Sequence, residues 1–194
     1  MEELIKTPFD EQIETERLIL KRHQLTFEYA TIYYNLIKEN QEFLTKFLHK
    51  MAFMNKPEDE YIYLIKANKA FENADSADYA IFTKENHLIG SCGVPRIDYE
   101  TKQAEIGYFL FKQYTGCGYM TEAVKAIEEN FFNRGFNRLT IVMDTENAPS
   151  ENVAVRCGYK KEGVMREWQY NLVLQSWRDM NLYAKLKSEW EKQR

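Results

Sequence analysis

The sequence predicts one mixed α/β domain spanning residues 1–194, and three observations carry that prediction. Stretches of helical and of strand periodicity follow one another without a break. No internal repeat, low-complexity run or linker divides them. From Glu105 to Asn133 an apolar strand, a glycine-bearing loop and an amphipathic helix follow directly on each other, as α/β folds require.

Residues 1–14 read as a loosely held leader, and residues 16–22 as a first strand with Leu18 and Leu20 on one face. Thr26 suits the cap of a helix running to about Asn40, with Phe27, Ala30, Tyr33, Tyr34 and Ile37 at helical spacing. A short helix follows from Glu42 to about Lys50. Pro57 fits the first position of a third, whose stripe is Tyr61, Leu64, Ile65 and Phe71. The period then changes to that of strands. Residues 79–83 and 88–94 read as a hairpin around Lys84–His87, and residues 103–111 as a third antiparallel strand. The next helix, Cys117 to Asn133, sets Met120, Ala123, Val124, Ile127 and Phe131 against Glu122, Lys125, Glu128 and Glu129. Gly135 ends it. Residues 138–143 form an apolar run of strand length, as in a sheet covered on both faces. A short helix opened by Pro149 and Ser150 and closed by Gly158, strands at 159–168 and 176–184, and a tail helix at 185–192 complete the chain.

Composition narrows the function. A net charge of −4 argues against broad nucleic-acid binding and suits a cationic amine substrate. Cys92, Cys117 and Cys157 are odd in number and far apart, so free thiols in a reducing, cytoplasmic compartment are expected. The start of the chain has no signal-peptide pattern, and no apolar run approaches the ~20 residues needed to span a bilayer. His23, His49 and His87 are scattered and read as surface residues, and no Cys/His cluster predicts a metal.

The loop Gln113-Tyr-Thr-Gly116-Cys-Gly118 carries the functional signal. Main-chain N–H groups gathered at a helix start, with the helix dipole behind them, favour an anion. Glycines at 116 and 118 permit positive φ and close approach. The Gly-Lys-Ser/Thr ending of a triphosphate loop is missing, as is the third glycine of a dinucleotide fingerprint. Spacing alone therefore gives an anion site in an α/β domain.

Flanked by Glu105-Ile-Gly-Tyr-Phe-Leu and Tyr119-Met-Thr-Glu-Ala123, the loop resembles the pyrophosphate motif of the GNAT acyl-coenzyme A N-acetyltransferase superfamily. Further segments resemble its ribosomal-protein alanine/serine subgroup: Thr15-Glu-Arg-Leu-Ile-Leu-Lys21, Asn147-Ala-Pro-Ser150, Arg156-Cys-Gly-Tyr-Lys-Lys-Glu-Gly163 and Ser176-Trp-Arg-Asp-Met-Asn-Leu-Tyr183. The resemblance covers nearly the whole chain. It implies a mixed, mostly antiparallel twisted sheet of about seven strands flanked by helices and splayed between the family's fourth and fifth strands. It also implies acetyl-CoA as cosubstrate and direct transfer to an amine. The preferred acceptor is the N-terminal α-amine of a ribosomal protein. A small-molecule amine (an aminoglycoside, a polyamine or an amino acid) and a non-catalytic acyl-CoA sensor are the alternatives. A homodimer is a family expectation.

Carried over, Phe109, Leu110 and Phe111 would offer main-chain groups to the pantetheine arm, and one N–H would polarise the thioester carbonyl. The rival reading makes the three plain core-strand residues, and both can hold because the contact uses the main chain. Gly116, Cys117, Gly118, Tyr119 and Met120 would supply N–H donors to the pyrophosphate, with Gln113 bracing the loop. Asn147 would hold the pantetheine or the loop around it, or serve as a turn residue. Glu105 is the candidate general base, and the rival reading makes it half of a cross-strand ion pair, for instance with a lysine. Ser150 is the candidate proton donor to the leaving thiolate, and its rival role is helix capping. Trp168, Trp177 and Trp190 suit core or dimer surface, and Phe43–Phe53 suits either an acceptor wall or core.

Overall fold

The computed structural model describes residues 4–193. Eight strands form one sheet in the order β1-β2-β3-β4-β5-β6-β8-β7. In chain order the strands are β1 Gln12–Glu14, β2 Leu18–Arg22, β3 Ala77–Thr83, β4 Leu88–Asp98, β5 Gln103–Leu110, β6 Arg138–Asp144, β7 Lys160–Asn171 and β8 Ser176–Leu186. The helices are α1 Phe27–Glu39, α2 Gln41–Thr45, α3 Pro57–Glu72, α4 Tyr119–Asn133, α5 Ala148–Arg156 and α6 Lys187–Glu191. Every neighbouring pair is antiparallel except β5 and β6, which α4 joins as a crossover.

The splay expected of the sheet is visible in the register. β5 and β6 pair from Gln103↔Arg138 to Ile106↔Ile141 and no further. β5 then continues against β4 alone, to Gly90↔Leu110, and β6 against β8 alone, to Asp144↔Met180. A gap therefore opens between residues 107–110 and 142–144.

Strand alternation sorts the core into layers. Tyr79 and Ile81 join Val124, Ile127 and Phe131 of α4 in the main core. Ala80 and Phe82, on the other face of β3, pack with Tyr29 and Ala30 of α1 and Leu64 of α3. Thr26 caps α1 by accepting the Tyr29 N–H at 3.1 Å.

Several elements depart from expectation. The sheet has eight strands because part of the leader is ordered. Residues 12–14 add an edge strand, and Phe9 is buried, stacked on Phe131 at 5.5 Å. Residues 1–3 of the expected leader lie outside the described residues. The second helix stops at Thr45, and His49–Phe53 form a separate 3-10 turn. In α1 Phe27 is exposed while Tyr29 is buried, and in α3 Ile65 is exposed while Glu60 and Asn68 are buried. Glu128, expected on the polar face of α4, is buried with Lys185 of β8. Their side chains meet at 3.0 Å, and the lysine also donates to the Cys157 carbonyl at 2.7 Å. That pairing ties α4, α5 and β8 together. A buried charge is tolerated only with such partners.

Candidate active site

The glycine loop follows directly on the splayed half of β5. Its residues Lys112–Tyr114 make one 3-10 turn, tied down where the Lys112 N–H donates to Asn40 Oδ1 at 2.9 Å and Thr115 Oγ1 to the Lys112 carbonyl at 2.8 Å. Gly116 and Gly118 both have φ of +80°, which explains glycine at each. A Cβ at Gly116 would meet no atom within 4 Å, so the loop is open on that side. α4 begins at Tyr119 rather than at Cys117, with Gly118 as its N-cap and, among the described residues, no side chain accepting from its first main-chain N–H groups. Its first N–H groups therefore face outward with the helix dipole behind them. Cys117 is exposed, and Gln113 makes no side-chain hydrogen bond among the described residues, so it does not brace the loop as expected.

The bracing comes from residues that the sequence reading passed over. Arg17, just before β2, donates from Nε to Glu122 Oε2 at 2.7 Å and from Nη1 to the Cys117 carbonyl at 3.0 Å. Its guanidinium lies 4.8 Å from the centre of the Tyr119 ring. Thr15 Oγ1 donates to Glu122 Oε1 at 2.6 Å. Burial works against ionising Glu122, but the bonds from Thr15 and Arg17 outweigh it and hold its carboxyl below the usual range. Thr15, Arg17 and Glu122 all lie inside the resemblance-bearing segments, which was the one available signal.

Where β5 and β6 part, a cleft of about 800 Å³ opens. Glu105, Gly107 and Tyr108 line it from β5, Val142 and Asp144 from β6, and Asn147 and Ser150 from the start of α5. Phe47–Met51 and Trp168–Tyr170 form further wall. The Phe43–Phe53 segment is thus divided, with Leu44 in the core and residues 47–51 on the cleft. Trp190 is buried, whereas Trp168 and Trp177 are exposed.

The structure brings Glu105, Asn147 and Ser150 together around this cleft. Glu105 is half-buried and takes a hydrogen bond from Arg96 Nη1 at 3.1 Å, directly across the β4–β5 ladder. The cross-strand ion pair therefore exists, with an arginine rather than a lysine. Capping of α5 falls to Asn147, whose Oδ1 accepts the Ser150 N–H at 3.2 Å. The Ser150 hydroxyl is left for Tyr108, whose phenolic oxygen lies 3.0 Å from Oγ. Burial pushes the Tyr108 phenol above its ordinary range, so it stays protonated. The sequence named Tyr108 only as part of a strand.

Leu110 and Phe111 are buried and Phe109 half-buried. The Phe111 N–H donates to the Ile89 carbonyl of β4 at 2.9 Å. Strand alternation then turns the main-chain groups of Leu110 and Tyr108 the other way, into the gap. At the end of β6, Asp144 accepts two bonds from Arg178, at 2.8 and 3.0 Å. Burial opposes its ionisation and Arg178 overcomes it, so its carboxyl lies below the usual range. His49, expected at the surface, is buried in the cleft wall with Nδ1 3.0 Å from the Gln169 side-chain nitrogen. His23 is buried too, and His87 is exposed as expected.

A glycine loop leads into a helix start without a side-chain cap, beside a sheet splayed at its parallel pair, an arrangement that can hold an anion next to an extended chain. Residues 17–160 match the family model described as acetyltransferase (GNAT) domain, and the chain belongs to that family. It is an N-acetyltransferase that uses acetyl-CoA. The ribosomal-protein-serine acetyltransferase of Escherichia coli (strain K12) is 28% identical over 168 residues, covering 86% of this chain and 92% of its own. Among solved structures, the microcin C7 self-immunity acetyltransferase MccE, in complex with acetyl-CoA and AMP, superposes with a TM-score of 0.83 at 26% identity. That match covers 89% of this chain and 93% of MccE. RimL, a ribosomal L7/L12 α-N-protein acetyltransferase in complex with coenzyme A, gives a TM-score of 0.84 at 24% identity over 91% and 98% of the two chains, a likeness of fold.

Proposed function

We propose that this enzyme acetylates the N-terminal α-amine of a protein, with a ribosomal protein as the first candidate. The observation that carries the reading is the open cleft at the strand gap, with Glu105 and Tyr108 on the β5 wall and Ser150, in contact with Tyr108, at the start of α5. Its rim includes Trp168, 54% exposed, and the exposed Leu172, apolar surface suited to an extended polypeptide end. The name of the Escherichia coli relative supports the same acceptor class.

In this reading the N–H groups of residues 116–120 hold the pyrophosphate of acetyl-CoA, and the gap-facing main chain of Tyr108 and Leu110 holds its pantetheine arm, while Phe109 and Phe111, expected to share that role, turn their main-chain groups to β4. The outward first turn of α4 and the open space at Gly116 fit that role. Asn147 sets the start of α5 beside the arm. In the same reading the Leu110 N–H, which faces the gap, polarises the thioester carbonyl. A free α-amine titrates near 8, so only modest help is needed to make it neutral at pH 7. Glu105 takes that proton through water. The neutral amine attacks the carbonyl carbon directly, the nitrogen of the adduct gives its extra proton to water, the C–S bond breaks, and the thiolate takes a proton from Ser150, which solvent restores through the chain that includes Tyr108. The exposed apolar surface of Trp177, outside the cleft lining, is what a second copy would cover in a homodimer.

The test is incubation of the purified protein with isotopically labelled acetyl-CoA and a lysate from cells lacking this gene, followed by mass spectrometry. Label on a few protein N-termini is the expected result. Label confined to small molecules overturns the protein acceptor and makes the enzyme a metabolite or drug acetyltransferase.

A further inference from the structure

His49 opens the 3-10 turn between α2 and α3, and it is 3% exposed on the wall of the cleft. Its Nδ1 lies 3.0 Å from the side-chain nitrogen of Gln169, on β7. An amide nitrogen can only donate, so Nδ1 accepts and the neutral ring carries its proton on Nε2. Burial, and then the charge of Lys50, lower its pKa and favour that neutral ring. No hydrogen-bond acceptor among the described residues engages Nε2. The other charged groups along this cleft are Arg96 on β4, Glu105 on β5 and Asp144 on β6, with Lys46 acting on Asp144. The site thus holds a neutral, oriented N–H donor with no acceptor among the described residues.

We propose that His49 donates a hydrogen bond from Nε2 to the first carbonyl oxygen of the acceptor polypeptide, and so selects amines that carry a carbonyl on the adjacent carbon. The proposal rests on the reading of the acceptor as a protein N-terminus. A peptide α-amine has that carbonyl next to it, whereas a polyamine or an aminoglycoside amine does not. A neutral donor suits the task because an imidazolium would repel the arriving ammonium. Gln169 is the positioning residue that fixes the tautomer. Protonating Nδ1 would set two donors face to face, so the selection weakens as pH falls through the lowered His49 pKa.

The test uses the full-length protein, acetyl-CoA and two acceptors: a serine-initiated tripeptide amide, and serinol, which replaces the carbonyl by CH2OH. The reading is the ratio of kcat/KM for peptide over amino alcohol. The wild type should favour the peptide. His49→Phe should lower the ratio about tenfold, the effect of one hydrogen bond, and act through the peptide KM. His49→Asn keeps a side-chain N–H and should recover part of the loss. Gln169→Leu should lower the ratio by about threefold and move its acid limb. A ratio unchanged in His49→Phe overturns this inference alone. A wild type without peptide preference overturns the acceptor reading and this inference with it. Calorimetric binding of acetyl-CoA checks folding. If His49→Phe fails that check, a ratio and acid limb both unchanged in Gln169→Leu overturn the inference.

Discussion

The Tyr108 hydroxyl stands 3.0 Å from Ser150 Oγ and 3.2 Å from the Ser150 carbonyl, so one phenol on β5 is bound to the first turn of α5. The two hydroxyls form a chain in which either can be the donor. A chain of this kind acts as a unit, and deletions within a unit do not add. Ser150→Ala is expected to lower kcat about 10²-fold with little change in acetyl-CoA affinity. Tyr108→Phe should cost about tenfold. The double variant should be no slower than Ser150→Ala, and single-turnover rates that multiply instead would show that the hydroxyls act separately.

Glu105 is both cleft carboxylate and partner of Arg96, and the two roles predict different losses. Arg96 is 69% exposed at its side chain, so the pair adds little stability. Arg96→Ala should leave the melting temperature within about 2 °C of wild type. Glu105→Gln keeps the size and should lower kcat/KM about 10²-fold near neutral pH. Raising the pH should recover part of that loss, because the α-amine then deprotonates unaided. A pH-independent deficit would assign Glu105 to structure.

The order of elements and the glycine loop were legible because each has a local cause, in periodicity, capping chemistry and positive φ, whereas the splay was legible only through the family resemblance. What was not legible depends on residues distant in the chain. Phe9 carries no periodicity, and its burial follows from distant residues that meet its ring: Phe71, Phe131 and the Arg134 guanidinium. The side chain that pairs with Glu105 follows from a register containing a β-bulge between Gly93 and Arg96, which no sequence pattern shows. His49 reads as a surface histidine until β7 brings Gln169 to it across 120 positions. Ser150 was placed correctly, but its neighbour Asn147 takes the cap, and this frees the serine hydroxyl for Tyr108.

Arg17 and Glu122 join the strand that opens the sheet core to the helix behind the glycine loop. Arg17 also holds the Cys117 carbonyl, so the clamp fixes the loop main chain between the two glycines. Arg17→Ala is expected to raise the KM for acetyl-CoA about tenfold while kcat changes less, since one charge-assisted contact to the loop is lost. Glu122→Gln should do the same more weakly, because Thr15 can still donate to the amide oxygen. Titration of coenzyme A against each variant reads the effect directly. Unchanged affinity in Arg17→Ala would confine the clamp to stability.

Glu60 is fully buried on α3, and neither carboxylate oxygen has a hydrogen-bond partner among the described residues. Burial, and then the nearby charge of Asp78, push its pKa from 4.5 up to about 8. The acid is thus protonated in the fold at pH values where the unfolded chain is ionised. The stability linked to this group is complete below 4.5 and lost progressively as pH rises toward 8, on the order of 1 kcal/mol per pH unit. Asp78 contributes the opposite dependence at lower pH. Its carboxyl is held low despite burial, because His23, Ser91 and Tyr63 surround it, and that stability is lost only on acidification below its ordinary 3.8. Between pH 5 and 8 the two do not overlap. Glu60→Gln removes the titration while keeping the shape, so denaturant midpoints measured across that range should flatten and rise most, relative to wild type, at pH 8. A wild-type slope retained in Glu60→Gln would place the proton elsewhere in the α1–α3 layer.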